Sequence, residues 1–322
     1  MVNTTDEPLR TERKGLERWF SSRAAHVSAA SIWLLSLALF RQPLRGMASL
    51  SFHDERASHI LLIPCISAFL IFLQRKRVFG AIRYCPSIGL PLLIIAALLW
   101  YSLRTRLYHL TNTDHLSVLA SLIVMVWIAA FILCYGVSAF RVAAFPLLFL
   151  LLMIPIPVAV GEYTVSVLQK GSADACYGLF RIIGIPFIRH GFQFSLPGVD
   201  IEVAEQCSGI HSAVSLFIAG LLLQHLLLKG AWRKICFTLC IFPIAIFKNA
   251  VRIVTIAWLG IHVSPDFFHG QLHKRGGLPF AALAMGMLGL LLWLLRRPSR
   301  GPFPAHEFRG GAPQPWFGLK QN

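Results

Sequence analysis

The sequence predicts an all-α polytopic integral membrane protein, with about eight transmembrane helices and a small extracytoplasmic hairpin element before helix six. Composition is the first reason, because 56% of the 322 residues are hydrophobic and only 14% are charged, against about 25% charged in soluble domains. The second is that the apolar residues form blocks of about 15–25 residues, the length that crosses a hydrocarbon core. These blocks lack the strict alternation of a membrane β-barrel, so helices are expected.

The apolar blocks divide the chain into three parts. A polar, basic segment precedes the first block, and a segment rich in Gly, Pro and Arg follows the last. We therefore expect a cytoplasmic N-terminal tail (1–23), a transmembrane domain (24–295) and a disordered cytoplasmic tail (296–322). The blocks themselves lie at 24–40, 59–73, 86–103, 116–135, 142–160, 208–228, 235–262 and 277–295.

Charge orients the predicted spans. Basic residues follow every second block, beginning at Arg75, Arg141, Lys229 and Arg296. By the positive-inside rule, both termini of a multi-pass protein of the cytoplasmic (inner) membrane then face the cytoplasm. The basic residues behind the net charge of +16 thus lie mostly in predicted cytoplasmic loops. We therefore expect the lipid bilayer as partner and no binding to nucleic acid.

The longest predicted outer loop covers residues 161–207. Its first part has the spacing of an amphipathic helix, with apolar residues at Val165 and Leu168. Its last part alternates apolar and polar residues on both sides of Pro197-Gly198, a turn signal, and this predicts a β-hairpin at the membrane surface. The hairpin leads directly into Cys207.

Block seven contains polar residues in the middle of an apolar run. At 100° per residue, Lys248, Arg252 and Thr255 fall on one helical face, with Asn249 beside them. Cations at bilayer depth are costly, so such residues normally face a polar interior. The alternative is a hinge near Pro243, with two half-helices and the charges in a loop.

Cys207 stands where the hairpin ends and block six begins, followed by Ser208 and Gly209, which allow a tight turn. Backbone N–H groups at a helix start are unpaired, so this position favours a thiolate and can supply oxyanion donors. The alternatives are a structural free thiol or a disulfide with Cys176, the other cysteine of the same loop.

The loop before block eight carries two imidazoles, His269 and His273, on the same predicted outer side as Cys207. Their i, i+4 spacing would suit a metal pair, but neither an HExxH motif nor a third ligand accompanies them, so no metal and no cofactor is predicted. A thiol, an imidazole and the guanidinium of Arg252 together suit acyl transfer.

With these residues the sequence resembles the exosortase/archaeosortase family over roughly residues 55–295. Supporting matches are Pro155-x-Pro157, the lead-in Leu196-Pro197-Gly198, and Ser58-His59. The matching motifs, in order, are Glu205-x-Cys207-Ser208-Gly209-x-x-Ser212, Asn249-x-x-Arg252-Ile253 and His273-x-x-x-Gly277.

The resemblance implies a multi-pass cysteine protease or transpeptidase whose active site faces the extracytoplasmic side. It implies that Cys207 is the nucleophile, Arg252 the transition-state or oxyanion stabiliser, and His273 the general acid/base. The implied substrates are exported proteins whose C-terminal tail has a Pro-containing motif, a hydrophobic helix and a basic cluster. The implied acceptor is a surface lipid or polysaccharide.

Further residues are expected to bind substrate or support the site: Asn249, Glu205, Ser208, Gly209, His211 and His269. His211 departs from the family, where Arg is frequent, and His269 is the second candidate for the acid/base. Two other classes remain open: a transporter with Lys248 and Arg252 along an anion path, and a non-catalytic membrane component of a polysaccharide or secretion assembly.

Overall fold

The computed structural model describes residues 6–54, 57–80, 82–103, 110–204, 209–264 and 277–296, with side chains described from residue 23 onward except at 277 and 278. These ranges are mostly helical. In chain order the helices are α1 (Asp6–Leu39), α2 (Arg41–His53), α3 (Leu62–Leu73), α4 (Arg75–Val78), α5 (Pro86–Leu103), α6 (Asn112–Val142), α7 (Ala144–Phe149) with a 3-10 turn (Leu150–Met153), α8 (Val158–Ile183), α9 (Ile210–Leu227), α10 (Ala231–His262) and α11 (Gly277–Arg296).

Five helices of the described ranges are long and apolar enough to cross a membrane, namely α5, α6, α9, α10 and α11. Two bent pairs raise this number to seven if each pair is one span: α1 with α2, bent by 74°, and α7 with α8, bent by 92°. Each of the eight apolar blocks overlaps at least one helix of the described ranges. Because α3 has only 12 residues, shorter than an ordinary span, the count of eight stays a prediction.

The predicted span 142–160 is wrong in its boundaries. The structure ends this helical stretch at Met153 and starts α8 at Val158, with Pro157 at its N-cap. Proline lacks a backbone N–H and disfavours helix in the residue before it, so Pro155-x-Pro157 interrupts the apolar run. Helix α6 holds the bend, because Ser117 Oγ donates to the Pro155 carbonyl at 2.7 Å and Val158 N donates to Asp114 Oδ1 at 2.9 Å.

The amphipathic helix predicted in loop 161–207 is present, but it is part of α8 and packs into the molecule. Val165 and Leu168 are buried, and the buried stripe continues through polar Gln169 and Ser172 to Cys176. This stripe contacts α10. Helix α8 is therefore a packing partner of α10 rather than a surface helix in a loop.

A three-stranded antiparallel sheet follows α8: β1 (Ile188–His190), β2 (Gln193–Leu196) and β3 (Val199–Glu202). Strands β2 and β3 pair through the predicted turn, where Gly198 has φ +81°, as the third position of a type II turn after Pro requires. Strand β1 is an addition that the sequence did not predict. Phe194 and Leu196 lie under the sheet and pack against Phe180, which fixes the sheet to α8.

Helix α10 is continuous over 32 residues although Pro243 lies inside it. The hinge considered for this block is therefore wrong, and Lys248, Asn249 and Arg252 are helical residues. Lys248 and Asn249 are buried and Arg252 is half-buried. The helix contacts α8, α9 and α11, so its polar residues face other helices.

Candidate active site at the start of helix α9

Gly209 is the residue at which α9 begins. It is the N-cap and has φ +75° and ψ 18°, a left-handed conformation that glycine adopts without steric cost. The polar residues of α10 lie directly against it, because a Cβ built on Gly209 would be 2.9 Å from Asn249 Oδ1. The predicted tight turn is thus present at Gly209, and only glycine fits there.

A second contact joins the first turn of α9 to α10. Ser212 Oγ donates to the Gly209 carbonyl at 2.8 Å and accepts a hydrogen bond from Lys248 Nζ. Only 4% of Lys248 is exposed, so its ammonium is held inside the helix bundle by this hydroxyl. A buried cation is costly without such a partner, and the bond therefore fixes both α9 and the charge.

Asn249 ties the same region to α8. It is 1% exposed, and its Nδ2 donates to Ser172 Oγ at 3.0 Å. One helical turn earlier on α8, Gln169 Nε2 donates to the carbonyl of Val203 at 2.7 Å. The chain is consequently held on both sides of 205–208: at Val203 by α8, and at Gly209 by α10.

Arg252 lies one turn after Lys248 and three residues after Asn249 on α10, half-buried. Residues three and four apart on a helix are neighbours on its surface, so this guanidinium belongs to the face that contacts the start of α9. That Asn249 orients or packs against Arg252 stays a prediction.

His211 is the second residue of α9. Its Nδ1 is buried and has no hydrogen-bond partner among the described residues. A supporting role for His211 stays a prediction.

Glu205, Cys207, Ser208, His269 and His273, which the sequence proposes for the site, lie outside the described residues. Cys176, the partner considered for a disulfide with Cys207, is a buried free thiol whose Sγ lies 3.8 Å from the Ala250 carbonyl oxygen. Within the described ranges, no group of three His, Cys, Asp or Glu side chains could hold a metal ion.

Three residues of this arrangement were not proposed from the sequence. Gln169 and Ser172 are polar residues on the buried stripe of α8, four and seven residues after Val165. This helical spacing is the sequence signal that could have indicated their burial. Lys248 was seen on the polar face of block seven but was not assigned to the site. Its pairing with Ser212, which belongs to the Cys207 motif, brings it there.

The profile of the transmembrane exosortase family (Exosortase_EpsH) matches residues 50–290, about three quarters of the chain. The chain belongs to the transmembrane exosortase family. No match was found among curated proteins or among solved structures. The matched region of this exosortase contains Gly209, Ser212, Lys248, Asn249 and Arg252, so the polar contacts between α9 and α10 lie inside the family domain.

Proposed function

We propose that this exosortase is a membrane-embedded cysteine protease or transpeptidase that cleaves C-terminal sorting signals of exported proteins through a thioester intermediate. In this proposal Cys207 is the nucleophile, Arg252 stabilises the transition state, and His273 is the general acid/base. His269 is the second candidate for the acid/base. The substrates carry a Pro-containing motif, a hydrophobic helix and a basic cluster at their C-terminus.

The observation that supports it most directly is the contact between the first turn of α9 and the polar face of α10. Gly209, two residues after Cys207, packs on Asn249, and Ser212 bonds to Lys248. Arg252 follows Asn249 by three residues on the same helix. The chain segment that begins with the proposed nucleophile is therefore fastened to the helix that carries the proposed stabilising cation.

The chemistry follows from these groups. The thiolate of Cys207 attacks the scissile carbonyl, and a helix N-terminus together with nearby cations stabilises that thiolate. The oxyanion is stabilised by the Arg252 guanidinium and by N–H groups at the start of α9. The C–N bond then breaks, the imidazole protonates the leaving amine, and an acceptor amine or water resolves the thioester.

In this proposal the site faces the extracytoplasmic side of the inner membrane and both termini are in the cytoplasm, as the positive-inside rule predicts. A substrate tail with an apolar helix would then lie among the transmembrane helices, and its scissile bond would reach the outer end of α9. The basic cluster of the tail would remain cytoplasmic for the same electrostatic reason.

The transporter alternative needs cations that line a path. Lys248 is 4% exposed and is bonded to Ser212, which suits a buried positioning contact better than an ion path. The assembly-protein alternative differs from the enzyme in one testable respect: it leaves Cys207 dispensable.

The test follows the size of a tail-bearing protein, tagged at its N-terminus and co-expressed with this exosortase. Removal of the tail by the unmutated chain and not by Cys207→Ala is expected. Cys65→Ala, at an exposed free cysteine, is the matched control and should process the substrate normally. Processing by Cys207→Ala would exclude the thioester mechanism.

A second variant tests Arg252. Arg252→Lys keeps the charge but loses the planar, bidentate donor, so we expect processing to fall by about 10²-fold or more, as when an oxyanion donor is removed. Arg181→Lys, at an exposed position near the end of α8, is the control. Normal processing by Arg252→Lys would remove the guanidinium from the mechanism.

A further inference from the structure

A cavity of about 400 Å³ lies beside the start of α9. It is bounded by the end of α2, the turn before α3, the bend at 155–158 and the first turns of α8, and Ile210 and Val214 of α9 form one wall. Small-molecule sites have volumes of about 300–1,000 Å³, and a water occupies only about 30 Å³ of liquid. The space therefore suits an organic ligand.

The charged side chains that line this cavity are acidic, whereas the chain as a whole has a positive net charge. Asp54, His59 and Glu162 line the cavity, and no Lys or Arg does so among the described residues, although the chain has a net charge of +16. Asp54 is half-buried and Glu162 is exposed, so one carboxylate lies deeper than the other. The carboxylates of Glu162 and of Asp54, which also interacts within the protein, favour a ligand with a cationic group.

His59 adds a proton acceptor. Burial lowers the pKa of its imidazole below the ordinary value, and a hydrogen bond to the backbone of Leu152 partly offsets this effect. A carbonyl can only accept, so one ring nitrogen donates to Leu152 and the other, in the neutral ring, is an acceptor.

Gln169 connects the cavity to the proposed active site. It lines the cavity, is 8% exposed, and donates through Nε2 to the Val203 carbonyl. Val203 precedes Cys207 by four residues, and Ile210, on the cavity wall, follows it by three. The cavity thus lies against Ile210 on one side of this chain segment, and one of its lining residues, Gln169, holds Val203 on the other side.

We propose that this cavity binds the primary amine of the acceptor and delivers it to the thioester. The inference rests on the proposed function, since it assigns the second substrate of that reaction. Asp54 and Glu162 bind the ammonium, and His59 takes a proton from it. Water as the resolving nucleophile would need neither the volume nor the carboxylates.

The step balances without any further reactant. The ammonium R–NH₃⁺ gives one proton to His59 and becomes the nucleophilic amine. Its nitrogen attacks the thioester carbonyl, the new C–N bond forms, and the C–S bond breaks. The second nitrogen proton passes to the departing sulfur, so the products are an amide, the thiol of Cys207 and a protonated His59, which then releases its proton to solvent.

Binding is tested independently of catalysis by photo-crosslinking on the full-length Cys207→Ala protein in lipid nanodiscs. The probe is a short alkyl diazirine with a primary amine, and its matched control is the same diazirine with a hydroxyl. We expect the amine to label peptides that line the cavity, with competition by ethanolamine. Asp54→Asn combined with Glu162→Gln should weaken labelling by about tenfold or more, equivalent to about 1.4 kcal/mol.

Glu202→Gln removes a carboxylate from the exposed face of β3, outside the cavity, and should label like the parent. Size-exclusion profiles show whether each variant is folded. Equal labelling by the amine and the hydroxyl compound, or unchanged labelling of the folded double variant, would overturn the site.

A second arm uses the active protein with a tail-bearing peptide and ethanolamine, and measures amide against free-acid product. His59→Gln should lower the amide fraction, and the double variant should raise the ethanolamine concentration needed for half-maximal amide by about tenfold. An amide fraction unchanged in both would overturn the role of the cavity in transfer. Absence of any tail release by the unmutated chain would instead refute the proposed function, while the labelling result still decides the amine site.

Discussion

Replacement of Gly209 by alanine tests the geometry of the site at its tightest point. Gly209 has φ +75°, and the new Cβ would be 2.9 Å from Asn249 Oδ1 and 3.0 Å from its Cγ. Asn249 cannot move away easily, because it is 1% exposed and donates to Ser172. The start of α9 must therefore shift, or the bundle must loosen.

The magnitude has two parts. An L-residue in the left-handed region costs roughly 1–2 kcal/mol, and overpacking a tight contact costs about 1–3 kcal/mol. Restoring an ordinary separation of 3.4 Å from 2.9 Å requires a displacement of about 0.5 Å. Because a misplacement of about 1 Å can reduce a catalytic rate by about 10²-fold, we expect about tenfold slower processing.

Gly184→Ala separates the two parts. Gly184 ends α8 with φ +79°, and no described atom lies within 4 Å of its added Cβ. This control has the backbone strain without the collision. Both variants should lose roughly 1–2 kcal/mol of unfolding free energy from strain, and only Gly209→Ala should also slow tail removal.

The assay pairs initial rates of tail removal with thermal unfolding of the detergent-solubilised proteins. A double-mutant cycle adds Asn249→Ala, which removes the atoms that collide with the new Cβ. We expect a coupling free energy of about 1 kcal/mol or more in unfolding between the two positions. Equal processing rates for Gly209→Ala and Gly184→Ala, without coupling to Asn249, would refute the packing argument.

Three further predictions concern buried polar groups. Lys248→Met should change the unfolding free energy by no more than about 1 kcal/mol from that of the parent protein, because an apolar side chain of similar length replaces a buried cation. The variant should nevertheless process substrate about tenfold more slowly, because Ser212 is released. Normal processing would refute a positioning role for Lys248. Asn249→Leu should lower stability by about 1–3 kcal/mol, since Ser172 loses its partner, and Ser172→Ala in that background should restore part of it in thermal unfolding. The pKa of His59 is lower in the folded protein than its unfolded value of 6.5, so the unfolded chain binds the proton first as pH falls. The free energy of unfolding should therefore decline as pH falls from 6.5 to the folded pKa, and thermal unfolding should show a smaller decline for His59→Gln than for the parent protein. Asp54 and Glu162 face the same cavity as His59.

The sequence predicted the helices well where hydropathy alone decides them. Blocks 86–103, 208–228 and 235–262 match α5, α9 and α10 within a few residues. The sequence prediction failed at 142–160. The apolar run continues through Pro155 and Pro157, and hydropathy does not show that the helix axis changes direction there. The 92° bend there depends on Ser117 and Asp114 of α6, which are distant in sequence.

The same failure explains what was missed at the site. The motifs of blocks six and seven, through the family resemblance, proposed Gly209, Asn249 and Arg252 for one site, and the structure brings Gly209 and Asn249 into contact. Helix α8 was assigned to an outer loop, and its polar residues Gln169 and Ser172 had no predicted partner. Their roles depend on the bend that returns α8 to the bundle. The apolar periodicity of 158–183 indicates which face is buried, but not which helix covers that face.

The first turn of α9 has two faces, and their separation has a consequence for the order of the proposed reaction. Ile210 and Val214, four residues apart, line the cavity, whereas Ser212, about 200° around the helix from each, contacts Lys248 of α10. The acyl group would thus be formed on the α10 side and the amine would arrive from the opposite side. Two substrates that approach one nucleophile from different sides of α9 can bind one after the other. The arrangement therefore favours the ping-pong order, in which the tail is released before the amine binds.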